Sequence, residues 1–580
     1  MLYLALHYCL CSVLCVVAGV LFHALMPAPA PQEAPPAARP AFVYFLTGLV
    51  LLTGIGQWII LLFPLQWTAQ ALLLVLLTLL CFLYRKRLAP PLAELFHRAR
   101  QASPWLVGSL AVLLLLVLCL NAGPSLMDDT DSYHGQMVQW IREYGTVPGL
   151  ANLHLRYGFN SSWFTSIALF SSPLPGINSN MALNGLLSCW LGQYLLSLIL
   201  TPDSSLPQAG RRNLGIGLLL LYALALITWP MIRGNAVSAN YDFIACSCIL
   251  VLFISQLSAG RFSWQPEWLL WGAYLFTVRF IHFPWLLPGL LSCGVLLAAG
   301  RWKYAGTYLL LAAGLLLPFL IRNVQLSGYP LFPVYQLDLF RPDWKADPVM
   351  TQNIVDYIHY YNRVNVQFKP VEETMALSFP GWIPHWFRHI FSYDKPLLLL
   401  GLAGLLASCC CLPAIRKRYH AGIQWLLLTA GIQVLCWFFF FPDPRFVYGP
   451  LLCFALMGCL LLPAPALPAR STRILTILLT AGLLLYSGNK LRQLPDGRQL
   501  ALPAPLPVPP LDTLKLDGIT LYIPEAMPGN WNARCYGTPL PCLYRVHPRL
   551  RARGQSLHDG FYLAPADNTR PEERNVYNWY

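Results

Sequence analysis

Residues 127–140, Met-Asp-Asp-Thr-Asp-Ser-Tyr-His-Gly-Gln-Met-Val-Gln-Trp, gather Asp128, Asp129, Asp131 and His134 in one short stretch. Only Asn121 to Leu126 separate this stretch from the apolar run 105–121. A carboxylate at a membrane boundary loses hydration, so it must act as a base, pair with a cation or cap a helix. Three acids exceed what one helix cap uses, although Asp and Ser both favour that position. With only 11% charged residues in the chain, this cluster is the foremost candidate for chemistry.

Cations recur at matching boundaries: Arg233, Arg279, His282, Arg322, Arg388, His389 and Arg445. A carboxylate base beside arginines suits a reaction that deprotonates a hydroxyl and stabilises a departing phosphate. The guanidinium stays charged and grips phosphate oxygens in pairs. Arg279 interrupts an apolar stretch, where a charge is functional or paired. Arg322 and Arg445 sit at helix ends, where snorkelling to headgroups is the alternative. Tyr133 and His134 read as packing or hydrogen-bonding groups, and Asp443 as a partner for Arg445.

The elements that must hold these groups are membrane helices. A mean hydropathy of +0.52, 56% hydrophobic residues and continuous apolar runs near 20 residues describe a polytopic α-helical membrane protein. The runs do not alternate, which excludes a transmembrane β-barrel. Fourteen spans are expected, at 4–25, 41–63, 67–84, 105–121, 181–200, 213–230, 243–258, 266–279, 283–299, 304–321, 395–413, 421–440, 447–463 and 474–489. The pair around 266–299 could be one helix, but Arg279, His282 and Pro284 favour a break.

Basic residues set the orientation. Arg85 to Arg87 with Arg98 and Arg100, Arg211 with Arg212, Arg261, Arg301 with Lys303, Arg416 to Arg418, and Arg470 with Arg473 all fall on one side, which is then cytoplasmic. The segments 122–180, 231–242, 322–394, 441–446 and 490–580 face outward, as does the N-terminus. A signal peptide ending at Ala28-Pro29-Ala30 is the alternative for the first helix, but no basic region precedes it. The net charge of +14 suits anionic lipid headgroups and gives no nucleic-acid signal.

The chain divides into extra N-terminal helices (1–104), a membrane core carrying the acidic loop (105–321), a long outward loop (322–394), C-terminal helices (395–489) and an outward tail (490–580). Within 122–180, Tyr133 to Tyr144 reads as a helix whose Met137, Trp140, Ile141 and Tyr144 share a face suited to the membrane surface. Ser161 to Phe170 reads as a second short surface helix. The tail opens with a Pro-rich linker at 502–510 and contains a strand candidate at Gly518 to Ile523. Of 17 cysteines, only Cys535 and Cys542 lie in aqueous sequence, and their spacing is compatible with a disulfide in an oxidising compartment.

The pattern resembles the GT-C superfamily of integral membrane glycosyltransferases. Asp128-Asp129-Thr130 with Tyr133 looks like the acidic motif of the first outward loop. Arg322-Asn323 with Gly328-Tyr329-Pro330 and Pro333 is similar to an Arg-Asn…Gly-Asn-Pro…Pro element opening a later loop. Asp443-Pro-Arg445-Phe446 is similar to an Arg-Phe sequence at a late helix boundary. The resemblance spans roughly 105–490, with departures: three extra spans precede the acidic loop, Asp129 stands for Glu, and Tyr329 stands for Asn.

The resemblance implies an all-α GT-C-like membrane protein of about 14 helices, with outward interfacial helices and a small outward α+β domain. It implies an inverting transfer of sugar from a polyprenyl-phosphate donor to a glycan, lipid or protein acceptor, on the periplasmic face of a bacterial inner membrane. Asp129, then Asp128, would be the base; Asp131, Tyr133 and His134 would support it; Arg279, Arg322 and Arg445 would hold phosphate. A divalent cation, Mg²⁺ or Mn²⁺, is compatible with the acidic loop but not required by it. The rival readings are a transporter or flippase of lipid-linked saccharide and a non-catalytic envelope assembly factor. A transporter would favour midplane charges and repeat symmetry; here the polar residues sit at outer boundaries and no repeat is apparent.

Overall fold

A computed structural model describes residues 1–26, 39–125, 127–174, 177, 182–200, 208–258, 265–364, 377, 380–462, 469–494, 496–527 and 533–565. The possible cleavage site at Ala28–Ala30 lies outside them. In chain order the helices are α1 (Leu2–Leu25), α2 (Ala41–Ile59), α3 (Trp67–Leu83), α4 (Arg85–Arg100), α5 (Pro104–Ala122), α6 (Gly135–Glu143), α7 (Leu150–Leu153), α8 (Ser162–Leu169), α9 (Ala182–Leu200), α10 (Gln208–Leu221), α11 (Asp242–Ser258), α12 (Glu267–Val278), α13 (Leu286–Ala298) and α14 (Trp302–Ser327). There follow α15 (Pro348–Val364), α16 (Trp382–His389), α17 (Lys395–Cys410), α18 (Leu412–Arg418), α19 (Ala421–Phe440), α20 (Tyr448–Leu461) and α21 (Ala469–Arg492).

Ten of the described helices are long and apolar enough to cross a membrane, or twelve if two bent pairs, α3–α4 and α17–α18, each count as one span. Against the fourteen expected, length and composition thus give ten to twelve among the described residues. The remaining two segments are also helical but short: α11 has 17 residues and α12 has 12. The helix α12 stops because Arg279 is extended (φ −160°, ψ 129°) and a 3-10 turn, Phe280–Trp285, follows. The break therefore falls at Arg279.

Small residues let the helices approach closely. A Cβ at Gly19 of α1 would lie 1.9 Å from the Tyr44 carbonyl oxygen of α2, and one at Gly404 of α17 would lie 2.0 Å from that of Phe454 in α20. Contacts between loops stay within one end of the bundle. At one end Arg39 pairs with Glu267 at 2.6 Å, and His420 bonds the Gln256 carbonyl. At the other, Asn121 donates to the Ala236 carbonyl, Ala504 N–H to Ala122 and the N-terminal ammonium to Gln499.

This second end, which we call outward, carries a folded layer. The acidic residues open a π-helical turn, Thr130–His134, that runs into α6. The expected apolar face exists, but Met137, Trp140 and Ile141 are wholly buried in protein rather than offered to lipid. Likewise α8 is not a surface helix: every residue from Ser162 to Leu169 is buried. The reason is what packs on them: α6 meets the tail through Gln136 and Thr538, and α8 lies against α2 and α12, with Ser166 bonded to Thr53 and Ser162 to Thr277. Gly149, at φ +70°, lets the turn after α6 pass between the long loop and the tail: its N–H bonds Gln325 while the neighbouring Pro148 carbonyl accepts from Phe561. A separate small core joins Ala151 and Leu155 to Tyr329, Phe332, Met350 and Ile354.

Of the tail expected as α+β, the described residues show the strands. Among the described residues after α21 it holds two antiparallel hairpins, β1 (Leu511–Leu516) with β2 (Ile519–Pro524) and β3 (Leu550–Ala552) with β4 (Phe561–Leu563), plus 3-10 turns. Its dense prolines lack the N–H that a helix interior needs.

Candidate functional site at the outward helix ends

Five segments meet around Asp129. The turn after α5 supplies Asp129, the first residue of α11 is Asp242, the end of α12 supplies Arg279, and the link from α19 to α20 supplies Asp443 and Arg445. The Arg445 Nη1 donates to Asp129 Oδ2 at 3.0 Å, and its Nε lies 2.9 Å from Asp443 and 3.8 Å from Asp242. Arg279 Nη1 donates to Asp242 Oδ1 at 2.7 Å, and its guanidinium lies 3.5 Å from the Phe446 ring centroid. Arg156, from the 3-10 turn Leu155–Gly158, reaches Asp129 Oδ1 at 3.6 Å and covers the Tyr133 ring.

Three arginines (156, 279, 445) thus balance three aspartates (129, 242, 443). Burial alone would raise the proton affinity of Asp129, but Arg445, with His134 and Arg156, outweighs it and holds the carboxyl well below the usual range. In this state Asp129 is a firm anion and a weak base. An added phosphodiester anion would compete for the arginines and leave a surplus of negative charge. Both effects raise the proton affinity of Asp129.

One residue earlier the surroundings change. Asp128 pairs with Arg534 of the tail at 2.5 Å and is 43% exposed in its side chain; burial pushes its carboxyl up, against the pull of Arg534. The Asp131 carbonyl accepts from Tyr536 N–H at 2.9 Å, that of Ser132 from the Tyr544 hydroxyl at 2.9 Å, and Gln136 donates to Thr538 at 2.9 Å. Burial raises Asp131 to about 7. A disulfide joins Cys535 to Cys542 across this docked loop.

His134 is buried among the rings of Tyr133, Phe164 and Tyr241. Burial is the main force lowering it to about 3, so it is neutral. Arg322 lies apart from the network. It is 2% exposed and donates Nη1 to Asn160, while its Nε and Nη2 have no hydrogen-bond partner. Asn160 precedes Ser161, which bonds the Val278 carbonyl at 2.8 Å, so Arg322 and Arg279 flank one short turn. Of the other nominated cations, Arg233 pairs with Asp394 at 2.8 Å, His282 bonds Gln433 between helices, and Arg388 is exposed. Arg553 holds Asp343 at 2.7 Å and the Asp559 carbonyl.

Sequence reasoning missed Asp242, Arg156 and Asp394. Asp242 carried the signal that singled out Arg279, a charge abutting an apolar run; Arg156 was hidden in a loop without periodicity. Among the described residues, no group of three or more His, Cys, Asp or Glu is arranged to hold a metal ion. The carboxylates nearest one another are engaged by arginines.

Comparison with families places the chain. It matches the family described as "Domain of unknown function (DUF8201)" over residues 1–452, and so belongs to it. No curated protein and no solved structure matches. The family match takes in every residue of the arginine–aspartate network and ends before the tail.

Proposed function

We propose that this DUF8201 member is a membrane glycosyltransferase of GT-C type, taking sugar from a polyprenyl-phosphate donor to an acceptor hydroxyl at its outward face. The observation that carries the reading is the direct contact of Asp129 with Arg445, drawn together from loops more than 300 residues apart. Such a pair joins the two halves of the chemistry, a proton acceptor and a phosphate ligand.

The donor phosphate first meets the unpartnered N–H groups of Arg322, then draws Arg279 and Arg445 from their carboxylates. Asp129, released, accepts the proton of the acceptor hydroxyl. The hydroxyl oxygen bonds to the anomeric carbon from the opposite face, the bond from that carbon to the phosphate oxygen breaks, and its electron pair leaves with polyprenyl phosphate. Configuration inverts.

The test is mass spectrometry of lipid-linked and surface glycans in a deletion strain complemented with wild-type chain or Asp129→Asn. The expected result is a glycan restored by the wild type alone, with unspent donor accumulating beside the variant. Restoration by Asp129→Asn at equal expression would sink the reading.

A further inference from the structure

Two apolar helices end in sharp bends on the side of the bundle opposite the network. The helix α3 starts at the outward end, where Gln70 donates to the Leu169 and Ser171 carbonyls. The helix α17 starts there too, beside the Asp394–Arg233 pair. Both therefore finish at the inward end, where α4 leaves α3 at 96° and α18 leaves α17 at 80°. Each bent-off helix carries a basic triplet: Arg85-Lys86-Arg87 opens α4, and Arg416-Lys417-Arg418 closes α18.

These side chains are all exposed. The one acid of α4, Glu94, is taken by Arg98 at 2.8 Å, and α18 has none. A charge run of this kind is ordinarily a solvated face, but the bends argue otherwise. A helix rises about 1.5 Å per residue, so α4 continued straight from α3 would carry Arg98 and Arg100 roughly 20 Å beyond the membrane boundary. The near-right angle instead keeps the whole cationic helix at the level where α3 leaves the hydrocarbon. Apolar groups share that level. Phe82 and Leu83 at the end of α3, Phe96 in α4 and Leu412 in α18 are exposed, and the Arg85 guanidinium lies 4.8 Å from the Phe82 ring. Apolar side chains beside cations suit the boundary between acyl chains and headgroups.

The surroundings of α3 identify the occupant. Only Ala69 and Leu77 of this helix are buried, so acyl chains surround it up to the bend. An acidic protein or a nucleic acid would have to displace the headgroups of that lipid to reach the triplets. Phosphodiester headgroups accept paired hydrogen bonds from arginine, and each cation at an anionic surface adds roughly fivefold to the attraction.

We infer that α4 and α18 are two arms lying along the inward membrane surface, which hold anionic phospholipid headgroups through Arg85, Lys86 and Arg87 and through Arg416, Lys417 and Arg418. Neither arm is part of the network, so this stands apart from the transferase reading.

The test uses the full chain in nanodiscs of equal phosphatidylglycerol and phosphatidylcholine, with native mass spectrometry of the lipids it retains. Phosphatidylglycerol is retained about tenfold or more over phosphatidylcholine at 0.1 M salt. The preference collapses at 1 M, where the screening length falls from about 10 Å to about 3 Å. Replacing either triplet by glutamine (Arg85→Gln, Lys86→Gln and Arg87→Gln, or Arg416→Gln, Lys417→Gln and Arg418→Gln) lowers the preference about fivefold or more, while Arg551→Gln in the tail leaves it unchanged. Loss of inward charge can upset insertion, so a footprint on the wild type provides a second reading. Acetylation of Lys86 and Lys417 slows about fivefold when phosphatidylcholine discs are replaced by phosphatidylglycerol discs, and that of Lys515 in the tail does not. Equal retention of the two lipids, or equal acetylation in the two discs, overturns the proposal. Protection of both lysines by polyglutamate in phosphatidylcholine discs, with none from phosphatidylglycerol, also overturns it and points to an acidic protein.

Discussion

Asp128 and Asp129 are neighbours in sequence and belong to different machines. Asp129 faces inward to charges delivered by the ends of membrane helices, with Arg445 at 3.0 Å and Arg156 at 3.6 Å. Asp128 faces the tail, where Arg534 lies 2.5 Å away and nearly half of the side chain meets solvent. The π-helical turn that follows at Thr130–His134 widens the backbone, and one side of this segment serves the network while the other serves the docked tail. The lesson is that a cluster of acids need not be one site. Its members divide according to what the fold brings to each side.

The sharpest way to break this division is by substitution at both acids. Asp129→Asn should lower transfer by about 10³-fold, within the range for losing a general base, while Asp128→Asn stays within about tenfold. Product glycan quantified by mass spectrometry at equal protein level decides it; equal losses would merge the two regions. The arginines give the next largest contrast. Arg445→Ala leaves Asp129, Asp443 and Asp242 facing one another without their shared cation, and should cost on the order of 3 kcal/mol, as breaking a buried pair does. Arg534→Ala removes a pair whose acid is 43% exposed, and should cost less, about 1 kcal/mol. Thermal unfolding in detergent, followed by tryptophan fluorescence, reports the difference.

The division was only half legible in the sequence. The helices were, because continuous apolar runs have one outcome in a membrane, and all fourteen expected segments are helical. Their count as spans was less so, because α12 ends where Arg279 turns the backbone extended, a tertiary event. Charges abutting apolar runs pointed to Asp129, Arg279 and Arg445. Nothing local announced that Asp242 would join them, or that Arg534, some 400 residues on, would claim Asp128. The surface reading of α6 and α8 failed for the same reason: periodicity locates an apolar face but not what covers it. The tail's strand was readable from its β-rich run, whereas its docking was not.

Smaller effects probe the tail side alone. In Cys535→Ser/Cys542→Ser the loop that meets Asp131 and Ser132 is no longer cross-linked. Its docking should weaken by up to about 2–3 kcal/mol, the low end for a short loop. Hydrogen exchange should quicken at Tyr536 and Leu543, whose amides bond Asp131 and Tyr522, and stay unchanged in α11 and α20. Faster exchange in those helices would mean the tail supports the network after all.

The finest distinction is in pH. Burial raises Asp131 to about 7 when the tail is docked, against about 3.9 for a free aspartate. Between those values the docked form binds more protons than the undocked one. Docking is then favoured at low pH, weakens as pH rises from about 4 to 7, and levels off above. Asp129 runs the other way: its carboxyl is held low by the arginines, so its pairing is complete above about pH 4 and fades only in stronger acid. Tyr536 protection, corrected for intrinsic exchange, should therefore decline from about pH 5 to 7 in the wild type and stay flat in Asp131→Asn. Protection at the α11 amides should be level across the same window. A decline at both would mean that one titration governs both sides of the acidic turn, and that Asp128 and Asp129 do not stand in separate electrostatic surroundings.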